Sequence, residues 1–499
     1  MRPGVYVTEA VLPTPTNAQP PSVAAGALVA NLPSGPTTPT LVTSWYAFTR
    51  TFGDLNKNYD ATFAANMFFR SGGRELYVSR VVRSDASKAV ATLKAADTSH
   101  TWMTFTAKSE GAYGNGLRIK ITKNNGNGLY NIQVLQDAGV TDTLTGSTPD
   151  KIATAGTTDD VVLEAFYDVD LATQGNAQVV TMFSIESQFI DVAWVDVEST
   201  IPTEIGILAL SGGDDGTSTT FNYADAITNL GAINRSFVVF SPGTTDNTTV
   251  SALVAFAEAN GSFVVLDTDS DMMPDDAVTY AGTVGATSYA AVYYPHIWIP
   301  DTTQVSRSAI RKVPPSGAVA GTILATDAGI GVFKAPAGLQ TTIPGVVALE
   351  KSLTSAELDA LNNDVSPVNA LRVVSGSGAV IMGARTLNQA ASTRYINVRR
   401  TLLFLEKELK SRLEFALFRN NDKVLRGQIT TAIDAFLNGF WNAGGLRGAN
   451  RNAAYFIKCD AENNTSADIA NGIVNVQVGV ALQFPAEFIN IQLTQQTQA

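Results

Sequence analysis

Hydrophobic residues recur along this chain in two periods, and the longest stretch with the helical period carries unusual groups on both of its sides. From Arg394 to Asn421, RYINVRRTLLFLEKELKSRLEFALFRNN predicts one long helix. Steps of about 100° place Tyr395, Val398, Leu402, Leu405, Leu409, Leu413 and Ala416 in a single stripe that must meet the chain's own core. The opposite side carries Arg400, Phe404, Lys407, Ser411, Phe415 and Phe418. Cations mixed with aromatics do not make an ordinary solvent face. Either a second element of the chain packs over them, as in a three-layer domain, or another subunit docks there. A second amphipathic helix follows, marked by Leu425, Ile429, Ile433, Phe436 and Phe440 and stopped by Gly444 and Gly445.

The strand period is cleanest at the end of the chain. Val474, Val476, Val478, Val480, Leu482 and Phe484 alternate with polar or small residues, and after Pro485 so do Ile489, Ile491 and Leu493. The break at Pro485 lets the last strand fold back as a hairpin or swing away as an arm. At the other terminus Val5, Tyr6 and Val7 begin a short strand that ends at Thr8, tethered by the Pro-rich LPTPTNAQPPS. That strand either pairs within this chain or reaches the open sheet edge of a neighbour.

Between the termini, short apolar runs (Ser22–Asn31, ELYVSRVV, FVVFSPG, FVVLDTD, YAAVYYPHIWI, VNALRVVSG, AVIMGARTL) alternate with helical patterns such as ATFAANMFFRSGG, YADAITNLGAI and VSALVAFAEANG. This interleaving predicts a sheet covered on both faces. From about Thr98 to Thr203 the texture changes to alternating strands (LRIKI, YNIQVLQ, MFSIESQFI, VAWVDV) with turns such as NNGNG, which predicts an inserted all-β domain. Thr354 and Glu357 form a capping-box pair that opens a helix. The chain is therefore expected to be α/β and α+β and multidomain. An arm and linker span 1–21, an α/β segment packing with the central domain 22–97, and a β-rich outer domain 98–205. A central α/β domain spans 206–375, a C-terminal core 376–484 and a terminal arm 485–499.

Composition narrows the function. At 499 residues the chain divides into about three or four domains, and 45% hydrophobic against 16% charged residues points to extensive buried interface. A net charge of -11 gives no global field for phosphate backbones, so no direct nucleic-acid partner is expected. One cysteine, Cys459, excludes an internal disulfide and argues against a cysteine zinc site. No apolar run reaches the roughly 20 residues that span a bilayer, and MRPGVYVTEA has no signal-peptide core, so a soluble, cytoplasmically made chain without membrane insertion is expected.

Clustered chemistry is missing. No Gly-x-x-x-x-Gly-Lys-Ser/Thr loop occurs, GSGAVIMG spaces its glycines wrongly for a dinucleotide, and no Gly-x-Ser-x-Gly elbow is present. The two histidines, His100 and His296, fall in different predicted domains, which makes a Ser-His-Asp triad hard to assemble. Asp267, Asp269 and Asp271 mimic half a calcium loop, but Met272 stands where its glycine belongs and Val278 where its bidentate glutamate belongs. Solvated turns account better for these aspartates and for Asp214 and Asp215. No enzyme activity, catalytic residue, metal or cofactor is expected; binding and assembly are.

Several stretches, in order, resemble the sheath subunits of contractile tails found in bacteriophages, contractile bacteriocins and injection systems: PGVYVTE, LVTSWYAFTRTFG, AKSEGAYGNGLRIKI, LSGGDDG, VPPSGAVAGTILATDAGIGVFKAPAG, NALRVVSGSGAVIMGARTL, RYINVRRTLLFLEKEL and FPAEFINI. The likeness spans most of the chain and is weakest over 98–203. Met382 and His296 stand where such proteins often carry Trp, and ALFRNND replaces a Phe-Glu-Pro-Asn-Asp-like sequence.

The resemblance implies a subtilisin-like central domain without a triad and a structural subunit stacked as hexameric rings around a tail tube. It also implies baseplate and terminator partners, assembly in the host cytoplasm and a place in the virion tail. Contraction from a metastable extended state would drive the tube through the target envelope for genome delivery. The terminal arms (Val5, Tyr6, Val7; Ile489, Ile491, Leu493) would add strands to neighbouring sheets, with Val474, Val476, Val478 and Val480 as acceptor. Arg400, Lys407 and Lys410 would be candidates to face the tube, unless they form a solvated helix face.

Overall fold

The computed structural model describes residues 24–94, 101–124, 128–136, 161–171, 176–195, 207–304, 306 and 308–488. In chain order the central elements are β1 (Ala25–Asn31), β2 (Thr40–Val42), α1 (Trp45–Phe52), α2 (Asp60–Arg70), β3 (Leu76–Val81), α3 (Tyr223–Gly231), β4 (Phe237–Phe240), α4 (Asn247–Asn260), β5 (Phe263–Asp267), α5 (Pro274–Val284), β6 (Ala290–Tyr294), α6 (Ser316–Gly329), α7 (Ser355–Leu361), β7 (Val368–Val374) and β8 (Gly378–Ile381). The strands form one eight-stranded sheet in the order β8-β7-β6-β5-β4-β1-β3-β2. Its six inner strands are parallel, and β2 and β8 close the two edges antiparallel, β8 as the hairpin partner of β7 and β2 beside β3 after α1 and α2 intervene. The sheet thus extends past the expected domain boundary at 375.

Every residue of β4, β5 and β6 is buried, because helices cover both faces. That is why these strands read as continuous apolar runs and not as alternating ones. One face packs under α1, α2 and α6, the other under α3, α4, α5 and α7. The tightest seam is between α2 and α6. A methyl group at Gly317 would lie 2.2 Å from the carbonyl oxygen of Ala64, and one at Gly321 would lie 2.3 Å from that of Phe68. Glycine lets the two backbones touch.

The inserted unit has two antiparallel sheets around one core. Leu117–Lys123, Tyr130–Gln136, Val161–Val169 and Ile207–Ala209 form one, and Lys88–Lys94, Thr101–Glu110 and Ile190–Trp194 the other. The MFSIESQFI stretch departs from the sequence expectation. Ala177–Glu186 is a helix whose N-cap Asn176 accepts from the Gln178 amide and whose Val179 and Phe183 are buried, so packing of one side overrides the alternation. Arg80 pins this unit to the large sheet: its guanidinium donates to the carbonyls of Leu32 (2.9 Å), Gly35 (3.2 Å) and Glu110 (2.9 Å).

The C-terminal unit contains α8 (Ile396–Leu413), α9 (Lys423–Asn442), β9 (Tyr455–Lys458) and β10 (Gln477–Val480). The expected helix to Asn421 stops early. Residues 414–416 tighten into a 3-10 turn, Phe418 takes φ 61°, and Asp422 caps α9 by accepting from the Leu425 amide at 2.7 Å. Side-chain oxygens that bond nearby amides end helices. Among the described residues no helix is long and apolar enough to cross a membrane.

Substituting Gly321 by Ala should force α2 and α6 apart and cost about 1–3 kcal/mol. Urea unfolding checks this, and a loss within 0.3 kcal/mol of zero, on the order of measurement error, would show that the seam can relax.

Candidate assembly surfaces

Helix α8 begins in the core of the large sheet and ends in the core of the C-terminal unit. Ile396 belongs to the first, whereas Leu405 packs with Leu425, Ile429, Ile433 and Leu437 in the second. The aromatic side is covered by the chain itself: Phe404 lies 6.2 Å from Phe436 and 5.6 Å from Phe440, ring centre to ring centre. Further along, the cover runs out. Phe415 is 41% exposed, Leu417 67% and Phe418 fully exposed, so among the described residues the far tip of the α8–α9 hairpin is an uncovered apolar surface.

Arg400 does not stand on an outer face. Its guanidinium grips Asp327 at the end of α6 through two hydrogen bonds, one of 2.8 Å from Nη1 to Oδ1 and one from Nη2 to Oδ2, and both side chains are at most 5% exposed. The expected tube-facing role of Arg400 is therefore corrected, because helical periodicity places a cation on a side but cannot reveal a carboxylate waiting there. Arg399 also turns inward, 4.0 Å from the Tyr289 ring centre. Lys407 is partly buried, with Nζ 3.3 Å from the Asn234 carbonyl. Burial, then the charges of Arg235 and Lys410, lower its pKa. Lys410 is exposed.

The second candidate surface is the sheet of β9 and β10. Four register pairs run from Tyr455↔Val480 to Lys458↔Gln477, and Leu446 adds a bridge to Leu482. Val474, Val476, Val478 and Val480 turn toward α9 and are partly buried, but only 477–480 form a ladder because β9 offers four residues to pair with. Among the described residues no further strand joins either edge of this sheet. Val5, Tyr6, Val7, Ile489, Ile491 and Leu493 lie outside the described residues.

The chain leaves this sheet through a clamp that sequence patterning missed. Glu487 receives Arg385 Nε at 2.9 Å, Arg385 Nη2 at 3.0 Å and the Tyr395 hydroxyl at 2.8 Å. Arg385 is buried and also donates to the Asn362 carbonyl and to Asp364. Burial alone would raise the Glu487 pKa, but hydrogen bonds from Arg385 and Tyr395 and the Arg385 charge outweigh it and hold the carboxyl below its usual range. One signal was available: Glu487 is the sole charged residue after Asp468.

The polar residues considered for chemistry are occupied structurally. Asp267, wholly buried at the end of β5, accepts from the Ser316 amide at 2.8 Å and the Gly243 amide at 3.2 Å, anchoring the start of α6. Burial pushes its pKa up to about 6 against the opposing charge of His296. His296 Nε2 lies 2.8 Å from the Thr268 carbonyl, and both His296 and Ser316 are sealed from solvent. Asp269 accepts from Thr245, Asp271 pairs with Lys312, and Asp214 and Asp215 cap turns. Among the described residues no group of three or more His, Cys, Asp or Glu is placed to hold a metal ion.

Comparison with known proteins bears on these surfaces. The sequence matches the model of the phage tail sheath protein central domain over residues 216–387 and that of the phage tail sheath C-terminal domain over 388–496, together more than half of the chain. No curated protein matches the sequence. The fold is similar to the sheath tail protein Lin1278 of Listeria innocua, with 14% identity over 92% of this chain and 95% of that one and a TM-score of 0.60. It is similar to the contracted helical sheath of the anti-feeding prophage, with 22% identity over 99% of each chain and a TM-score of 0.57. It is also similar to the contracted sheath of PVC, an extracellular contractile injection system, with 20% identity over 99% and 98% and a TM-score of 0.55.

Replacing Arg400 by Ala leaves Asp327 buried and unpaired, and should lower the unfolding free energy by about 3–5 kcal/mol, while R400M/D327L should recover most of that loss. A loss below about 1 kcal/mol for R400A in urea unfolding, the size expected of an exposed pair, would contradict it. The clamp has its own sign. A depressed Glu pKa contributes stability that is present above the ordinary carboxylate range and lost as pH falls through the folded value. Glu487→Gln mimics the protonated form and should speed chymotryptic cleavage after Phe488, the one phenylalanine of this segment not followed by proline, several-fold at neutral pH. Unchanged cleavage would mean that the clamp does not hold this segment.

Proposed function

The chain belongs to the phage tail sheath family, and from that premise we propose that it is the repeating structural subunit of a contractile sheath, without enzymatic activity. Subunits polymerise as hexameric rings stacked helically around a tail tube. Baseplate and tail-terminator proteins bound the stack, in the tail of a virion assembled in the host cytoplasm. The large sheet with its sealed Asp267, His296 and Ser316 fits a subtilisin-like domain used as a scaffold.

The observation that carries this reading is the β9–β10 sheet, two strands wide with open edges among the described residues, beside the clamp that holds Glu487. An arm strand from a neighbour, residues 5–8 or 489–493, completes such an edge by main-chain pairing. Each pairing makes a handful of hydrogen bonds worth about 1 kcal/mol net apiece, so the mesh stays linked while side-chain contacts are exchanged. Head-to-tail contacts that do not close generate a filament.

With no nucleotide loop in the sequence, the energy for contraction is stored on polymerisation into an extended packing. It is released as the subunits repack into a shorter, wider one, driving the tube through the envelope for genome delivery. Lys410, and Lys407 at its side, remain candidates to face the tube with contacts of about 1 kcal/mol or less. A second reading is an injection particle in place of an infectious phage; the similarity to the anti-feeding prophage and PVC sheaths favours it, with the same mechanics.

Negative-stain electron microscopy of the full chain should show long hollow cylinders, and a chain ending at Phe484 should give rings or monomers. Cylinders from both would move the linkage to the N-terminal strand or to lateral contacts. Absence of polymers at every salt and concentration, with tail tube added, would overturn the proposal.

A further inference from the structure

A groove of about 220 Å³ opens between the large sheet and the C-terminal unit. Its floor is the amino-terminal end of the sheet, with Phe237 and Phe263, and its walls are Leu403, Phe404 and Lys407 of α8 and Phe440 of α9. Ala24 also lines it, and the next residue, Ala25, is already bonded into the sheet through the Ser236 carbonyl at 3.3 Å. The first described residue therefore stands at the groove. We infer that the segment Pro20-Pro21-Ser22-Val23 of the same chain is seated in it, tying the large sheet to the C-terminal unit.

The chemistry of groove and segment matches. Consecutive prolines are held in the extended polyproline conformation, which docks in aromatic-lined grooves at low entropic cost. Pro20 and Pro21 have no N–H, so laying them against Phe237, Phe404 and Phe440 buries no unsatisfied donor. Their carbonyls still need partners, and the Lys407 ammonium, with three donors and the Asn234 carbonyl at 3.3 Å, is available at the rim. Four residues reach about 13 Å when extended, enough to cross the groove. Because the segment is joined to Ala24, docking is intramolecular and a weak contact suffices.

The seat has a mechanical consequence that does not depend on polymer formation. With 20–23 docked, 11 residues, 9–19, separate the strand ending at Thr8 from the body, a reach of at most about 40 Å. Tension on the arm then acts on the joint between the two units.

In the full-length chain, p-benzoylphenylalanine in place of Ser22 should crosslink on irradiation to Phe404, Lys407 or Phe440. In a mixture of 14N- and 15N-labelled chains the adducts should stay within one chain. Adducts between chains, adducts on the β9–β10 edges, or none at all would overturn the inference. Independently, acylation of Lys407, referenced to Lys410 on the same helix, should be several-fold faster in P20G/P21G than in the natural full-length chain. Equal rates would also overturn it.

Discussion

One helix belongs to two cores, and the buried pair of Arg400 with Asp327 fixes it there. Helix α8 starts against the large sheet and ends against α9, so the sheet and the C-terminal unit cannot be assigned separate stabilities. A buried ion pair adds little net energy compared with apolar residues of the same shape, yet breaking it is costly. Its value here is geometric. The planar guanidinium meets its carboxylate in one orientation, which sets the angle at which α8 leaves the end of α6.

The second anchor, Arg385 with Glu487, does the same for the segment that follows β10. Together the two pairs fix elements that border the surfaces proposed for assembly: the β9–β10 sheet and the exposed tip at Phe415, Leu417 and Phe418. The polar groups that suggested catalysis are engaged in contacts within the chain, some buried and some at its surface. Asp267 holds the start of α6, and Asp271 with Lys312 staples a loop. A subunit repacked as a rigid body, as proposed for contraction, would benefit from internal polar contacts that are complete before it meets its neighbours.

Much of this was legible in the residues. The buried strands, the capping box of Thr354 with Glu357 and the stop of α9 before Gly444, which takes φ 84°, lie where the pattern puts them. Each depends on neighbours a few positions away. What the pattern left open or misjudged depends on distant residues. Arg400 meets Asp327 across 73 positions and Arg385 meets Glu487 across 102, and helical periodicity carries no information about either partner. The near half of the aromatic side of α8 proved to be covered by α9, as the reading of a second packed element expects, while its tip is exposed. In the inserted unit, burial of Val179 and Phe183 made a helix of a stretch that alternates like a strand.

The central claim is that the assembled chain stores the energy of its own shortening. Its most direct test is to follow the length of purified cylinders by electron microscopy under mild heating or low denaturant, with nucleotide absent and circular dichroism recorded alongside. Cylinders that shorten and widen while the subunits stay folded, and do not lengthen again on return to the starting conditions, are what a metastable sheath predicts. Cylinders that keep their length until the subunits unfold, or that shorten only when nucleotide is supplied, would contradict it.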